Sequence, residues 1–218
     1  QNPDDKAVVN SIVKVPITLI RGSGVDLSQY EYKEENNGNV KVSMACRLLK
    51  DKGVFEYIEA VKILKQKLPN VEFELYGDID IHNPASLTSD DVEKIKKDGF
   101  VNVYGFSSDI AKVFCDSNII VLPSYREGLP KVLIEAAACG RAVVTTDVPG
   151  CRDAIEPNIT GLLCEVKDTE SLARMIEKLI MDEKLRNSMG YNGRKLAEQE
   201  FDINKVVEKH FEIYEGRV

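Results

Sequence analysis

The chain has little of what metal, redox and nucleic-acid chemistry draw on. It holds only two histidines, His82 and His210, far apart in sequence, which argues against a zinc site. Its five cysteines (Cys46, Cys115, Cys139, Cys151 and Cys164) form no Cys-x-x-Cys pair, and their number is odd. Reduced, mostly buried thiols of a cytosolic protein are the expectation. No apolar run approaches the ~20 residues needed to span a bilayer. The opening residues lack the basic-then-apolar layout of a signal peptide. Basic residues are outnumbered, with Lys+Arg 29 against Asp+Glu 36 and a net charge of -7, which speaks against a nucleic-acid partner. No Gly-x-Gly-x-x-Gly follows the strand near residue 45, where Met44-Ala45-Cys46-Arg47 stands instead; this sets aside a dinucleotide dehydrogenase. Neither a Ser-His-Asp arrangement nor an internal repeat stands out.

What is present is a foldable α/β pattern. Hydrophobic residues make up 43% and charged residues 30% of 218, the balance of a globular domain. Residues 40–46, 71–76, 101–104, 118–122, 142–146 and 161–164 read as strands. Residues 54–68, 89–97, 108–115 and 130–139 read as helices between them, with Ser89 as an N-cap and Gly140 closing the last. A helix marked by Leu172, Ile176, Leu179 and Ile180 follows. A terminal one carries Ile203, Val206, Val207, His210, Phe211 and Tyr214 on an apolar stripe, where His210 is expected to pack. Continuous apolar strands such as Ile119-Ile120-Val121-Leu122 predict a parallel sheet covered on both faces, a doubly wound, Rossmann-like α/β domain. Such sheets bind ligands at the carboxyl ends of their strands. Val15–Ile20 reads as a further strand, residues 1–10 show no sheet pattern, and the polar 31–39 segment reads as a surface loop.

The segment Tyr125-Arg126-Glu127-Gly128-Leu129-Pro130-Lys131-Val132-Leu133-Ile134-Glu135 carries the chemistry. It leaves a buried strand and opens a helix that is apolar except for Glu135. A lone carboxylate there needs a partner, either a ligand hydroxyl or a neighbouring basic side chain. The Gly128-Leu129-Pro130 turn presents backbone N–H groups at a helix N-terminus, a site suited to an anion.

Four stretches together carry a family resemblance. Glu127 and Glu135 form Glu-x7-Glu after Leu-Pro-Ser. Arg47-Leu48-Leu49-Lys50-Asp51-Lys52-Gly53 is similar to an Arg…Lys-Gly phosphate motif. Ile20-Arg21-Gly22-Ser23-Gly24-Val25-Asp26 is similar to a glycine-containing entry loop, and Val148-Pro149-Gly150-Cys151-Arg152-Asp153 to a Gly-x-Arg-Glu/Asp turn. Over about residues 15–215 the chain resembles retaining nucleotide-sugar glycosyltransferases of the two-domain B-type fold, family 4 (group 1), above all bacterial enzymes of polysaccharide and lipid-linked oligosaccharide synthesis. Asn2-Pro3-Asp4-Asp5 resembles a tract near the end of their amino-terminal half.

The resemblance implies a division of the chain and of labour within it. Residues 1–14 would be the tail of a missing acceptor-binding domain of about 150–200 residues. Residues 15–200 would bind the nucleotide sugar, and 201–218 would pack back toward the missing domain. Arg47 and Lys52 would grip the diphosphate. Glu127 would bind donor-sugar hydroxyls beside the anomeric carbon, and Glu135 the ribose hydroxyls. Gly128 and Leu129 would offer N–H groups to phosphate. Gly22 and Gly24 would admit close backbone approach, although a plain tight turn explains them too. Gly77 would line the cleft, with turn chemistry as the competing explanation, and Phe106 would cover the base, with core packing as the competing one. No metal or other cofactor is implied. Asp78-Ile79-Asp80 matches the letters of a metal motif but reads as an incidental loop. The expected partners are a nucleotide-sugar donor, the missing domain and a lipid-linked acceptor, with no nucleic acid. The location is cytoplasmic, at the inner-membrane surface for a full-length protein. The donor base is open among uracil, guanine and adenine, uracil being favoured. A nucleotide-sugar epimerase and a non-catalytic nucleotide-binding module are the alternative functions.

Overall fold

The computed structural model describes residues 1–36 and 38–217. In chain order the elements are α1 (Pro3–Ile12), β1 (Lys41–Ala45), α2 (Val54–Lys67), β2 (Glu72–Tyr76), α3 (Ser89–Asp98), β3 (Asn102–Gly105), α4 (Ile110–Asp116), β4 (Ile119–Leu122), α5 (Lys131–Ala138), β5 (Ala142–Thr146), β6 (Gly161–Cys164), α6 (Thr169–Met181), α7 (Glu183–Leu196) and α8 (Ile203–Tyr214). A short π-helical turn, Ala197–Phe201, joins α7 to α8.

The six strands are parallel and lie in the order β3-β2-β1-β4-β5-β6. The expected doubly wound sheet is therefore present. The chain leaves β1 toward one edge and returns through β4 toward the other, so the crossovers diverge between these two strands. That divergence opens a crevice at their carboxyl ends.

Side-chain alternation builds the two core layers. Val42 and Met44 of β1, with Ile119 and Val121 of β4, join α2 and α6 in one layer. Ile120 and Leu122 join α4, α5 and the π-helical turn in the other. Leu64 is fully buried, and cutting such a side chain to alanine costs about 2–5 kcal/mol.

Several sequence expectations are corrected. Residues 15–20 form no strand; apolar alternation there finds no neighbouring strand to pair with. Thr88, not Ser89, caps α3. Its side chain accepts from the Asp91 N–H at 3.1 Å, and Asp91 reciprocates by accepting from the Thr88 N–H at 2.9 Å, which satisfies two free donors at once. Helix α4 is likewise capped by Asp109 and starts two residues later than the sequence suggests. Helix α7 went unrecognised because Gly190 and Gly193 interrupt its pattern. A Cβ at Gly190 would lie 2.1 Å from the Gly140 carbonyl oxygen, so a residue that weakens helices is needed here for close packing. His210 does not pack in the core. It is exposed, with Nδ1 2.8 Å from the Val206 carbonyl oxygen, because α8 buries only Val206.

The 31–39 segment is also more than a surface loop. Glu35 lies in a buried ion pair with Arg186 of α7, 2.8 Å apart, and accepts from Asn118 at 2.8 Å. Asn37 is outside the described residues. Four cysteines are buried and Cys46 is half-buried, all as free thiols.

Candidate functional site

The crevice at the β1–β4 divergence is where the motifs converge. Its wider part, about 700 Å³, is lined by Arg47, Gly77, Asp80, Phe106, Lys131 and Glu135, among others. A narrower part of about 190 Å³ is lined by Arg47, Lys52, Glu127, Pro130 and Lys131. Ala45, Cys46, Arg47, Lys131 and Val132 line both, so the two parts are continuous.

Each charged group reaches the crevice from an element that fixes it. Lys52 stands at the end of a 3-10 turn, Lys50–Lys52, just before α2. Its Nζ lies 2.5 Å from Oε1 of Glu127, and the fully buried Ser124 donates to the same oxygen at 2.6 Å. Arg47 follows β1. Its guanidinium is largely exposed and paired with Asp80 at 3.1 Å. Asp80 also lines the cleft, as a partner of Arg47. The 78–87 segment is stitched along the Arg47 loop by backbone bonds from Leu48 to Asp78, Lys50 to Ala85 and Leu87 to Leu48.

Glu135 on α5 is 8% exposed and pairs with Lys131 one turn earlier at 3.4 Å. The neighbouring basic side chain anticipated for it is thus Lys131. Across from it, burial and then the Glu135 carboxylate push the Tyr30 hydroxyl pKa upward. Burial also pushes the Cys46 thiol up to about 12, Lys52 pulling in the opposite direction. Cys46 is therefore a neutral part of the wall at physiological pH.

The glycines differ in placement. Gly77 has φ +140°, and a Cβ there would lie 1.8 Å from the Cys46 carbonyl oxygen. No other residue type fits. A Cβ at Gly22 would lie 2.5 Å from Cδ2 of Leu129, which places the entry loop on the loop that opens α5. Gly24 faces elsewhere: a Cβ there would meet the Ile203 backbone at 2.8 Å. Its need for glycine comes from packing against α8. Gly150 lies against the 127–128 backbone, 2.3 Å separating its would-be Cβ from the Glu127 carbonyl oxygen. Phe106 is 75% exposed at the rim, so core packing does not account for it. Gly128 and Leu129 form the turn before α5, and Leu129 is buried. Neither is among the wall residues of the two cleft parts.

Sequence reasoning missed Lys131, Ser124, Asp80 and Tyr30. The Lys131–Glu135 spacing of four was readable as a helical ion pair. The Arg47–Asp80 pair depends on a loop register that spacing does not reveal.

Comparison with known proteins gives the chain a family and its fold a set of neighbours. The profile of the family "Glycosyl transferases group 1" matches residues 29–196. The capsular polysaccharide biosynthesis glycosyltransferase CapM of Staphylococcus aureus is 34% identical over 84% of this chain and 48% of its own length. The N,N'-diacetylbacillosaminyl-diphospho-undecaprenol alpha-1,3-N-acetylgalactosaminyltransferase of Campylobacter jejuni is 32% identical over 91% of this chain and 54% of its own. The chain spans about half the length of these relatives. Among solved structures, sucrose-phosphate synthase from Thermosynechococcus elongatus superposes with a TM-score of 0.84 at 23% identity, covering 99% of this chain and 56% of the enzyme. Anabaena HepE in complex with UDP-glucose gives 0.80 at 22% identity, covering 97% and 61%. Fold, crevice and sequence thus lead to one assignment: the chain belongs to the glycosyl transferases group 1 family.

Proposed function

We propose that this chain is the donor-binding half of a retaining glycosyltransferase that moves a sugar from a nucleoside diphosphate to an acceptor hydroxyl in bacterial glycan synthesis. The observation that carries the reading is convergence. Arg47, Lys52, Glu127 and Glu135 come from three separate loops or helices and line one continuous crevice in a chain whose overall charge repels anions.

In this reading Lys52 and Arg47 neutralise the departing diphosphate, together with N–H groups before α5. The barrier lies in loss of that diphosphate from a carbon becoming oxocarbenium-like. Fixed charge aimed at the leaving group is then the largest help available, and it requires no resident metal. Glu127 binds donor-sugar hydroxyls and Glu135 the ribose. The UDP-glucose complex of the structurally similar Anabaena HepE supports a uridine donor. The undecaprenol-linked substrate in the name of the Campylobacter jejuni relative supports a lipid-linked acceptor. The exposed apolar faces of α1 (Ile12, 75%) and α8 (Phe211, 57%) suit contact with an acceptor-binding domain. Among the described residues no helix is long and apolar enough to cross a membrane.

The test is calorimetry of this chain against UDP, GDP and ADP, and then against UDP-sugars. Saturable binding of one nucleotide, lost in Lys52→Ala, is expected. No binding of any nucleoside diphosphate would overturn the reading.

A further inference from the structure

Helix α1 buries none of its own residues, yet its cap, Asn2, is 0% exposed. Capping alone needs only the side-chain oxygen, which accepts from the Asp5 N–H at 2.8 Å. The amide nitrogen makes two further bonds. It donates to Oδ2 of Asp5 at 2.8 Å and to the carbonyl oxygen of Gly128 at 2.7 Å. The second of these joins residues 126 apart in sequence and lands in the turn that opens α5.

The Gly128 carbonyl shares a peptide plane with the Leu129 N–H. In a planar trans peptide the two point in opposite directions, so holding the oxygen fixes where the N–H aims. Among the described residues no protein group accepts from that N–H. From another side, a Cβ at Gly150 would lie 2.7 Å from the same Gly128 oxygen. The peptide is therefore held between Asn2 and Gly150. Arg126 and Asp5, 3.8 Å apart and largely exposed, add only a weak second tie.

We propose that Asn2 is a positioning residue of the donor site: its amide aims the Gly128–Leu129 peptide so that the Leu129 N–H faces the diphosphate. The proposal rests on the donor reading given above. It makes the segment ahead of the sheet part of the phosphate-binding apparatus, so that a displacement of α1 changes diphosphate affinity.

The discriminating variant is Asn2→Ser. Serine caps a helix about as well as asparagine, carries no charge, and is too short to keep the bond to Gly128. Three measurements are made on this chain: the urea midpoint, the backbone ¹⁵N order parameter of Leu129 without ligand, and affinities for UDP and for uridine. The expected result is a slightly lowered midpoint, as for loss of hydrogen bonds at a buried side chain whose capping role is kept. The Leu129 order parameter falls from the rigid range, about 0.85, toward about 0.6. UDP affinity falls about tenfold, as for loss of one hydrogen bond to a charged group, and uridine affinity stays the same. An unchanged Leu129 order parameter overturns the proposal, as does equal weakening of UDP and uridine. If the wild type binds no UDP at all, the donor reading fails, while the order parameter still decides whether Asn2 holds the peptide.

Discussion

Lys52 and Glu127 hold each other across the narrow part of the crevice, Nζ to Oε1 at 2.5 Å, with side chains only 19% and 13% exposed. One charge assigned to phosphate and one assigned to sugar are thus paired before any ligand arrives. Under the proposed donor reading, a donor shares or breaks that pair; without one, the pairing leaves neither charge bare in a partly dry cleft.

Lys52→Ala is expected to weaken UDP binding by about 1.5–3 kcal/mol, the range for hydrogen bonds to charged groups. Arg47→Ala is expected at the lower end, because its guanidinium is 64% exposed and better screened. Calorimetry at fixed salt reads both. Wild-type affinity in both variants would remove the cationic grip.

Glu127→Gln separates the two roles. The amide releases Lys52 from its partner, so affinity for free UDP is expected to hold or rise. Affinity for the UDP-sugar is expected to fall. Parallel losses for both ligands would contradict the assignment of Glu127 to the sugar.

Arg186 and Glu35 form a pair with side chains 5% and 10% exposed. Removing one partner strands a buried charge, so Arg186→Met should cost about 3–5 kcal/mol. The double variant Arg186→Met with Glu35→Leu should regain most of that. Urea denaturation of the singles and the double decides it. A double variant no more stable than the single would show that the charges, and not their separation, stabilise the fold.

The thiols set an alkaline limit. Burial pushes Cys151 up to about 11 and Cys164 up to about 12, against about 8.5 for an unfolded cysteine. The folded state therefore keeps protons that the unfolded state releases. Stability from this source is whole below about 8.5 and declines from there through the folded values. Urea midpoints should be flat from pH 6 to 8 and fall beyond pH 9. Cys151→Ala should make the fall shallower. An equal slope in that variant would place the alkaline loss elsewhere.

Strands were legible in the sequence because runs such as Ile119–Leu122 are buried on both faces and need no alternation to be recognised. The crevice was legible because Arg47, Lys52, Glu127 and Glu135 stand in the stretches that carry the family resemblance, and the fold brings those stretches to one crevice. Contacts between distant segments were not legible. The amide of Asn2 reaching Gly128, and Asp80 reaching Arg47, follow from how loops lie beside one another. Helix α7 was hidden for a related reason: Gly190 answers to the neighbouring β5 entry and Gly193 to Ala137 of α5, not to the helix's own periodicity. The apolar stripe of α8 was visible, but among the described residues that helix buries only Val206, so the packing expected of His210 did not follow.

Gly77 leaves no room for a side chain beside the Cys46 carbonyl, and the backbone after β2 is further tied to its neighbours, Cys46 donating to Tyr76 and Gly77 to Gly105. The floor of the cleft is therefore a single welded surface. A substitution that reshapes it, as at Gly77, works against the fold itself. Under the donor reading a change of ligand preference falls to the projecting groups of the wider cleft, Ile81 (83% exposed) and Phe106 (75% exposed), whose exchange costs folding little.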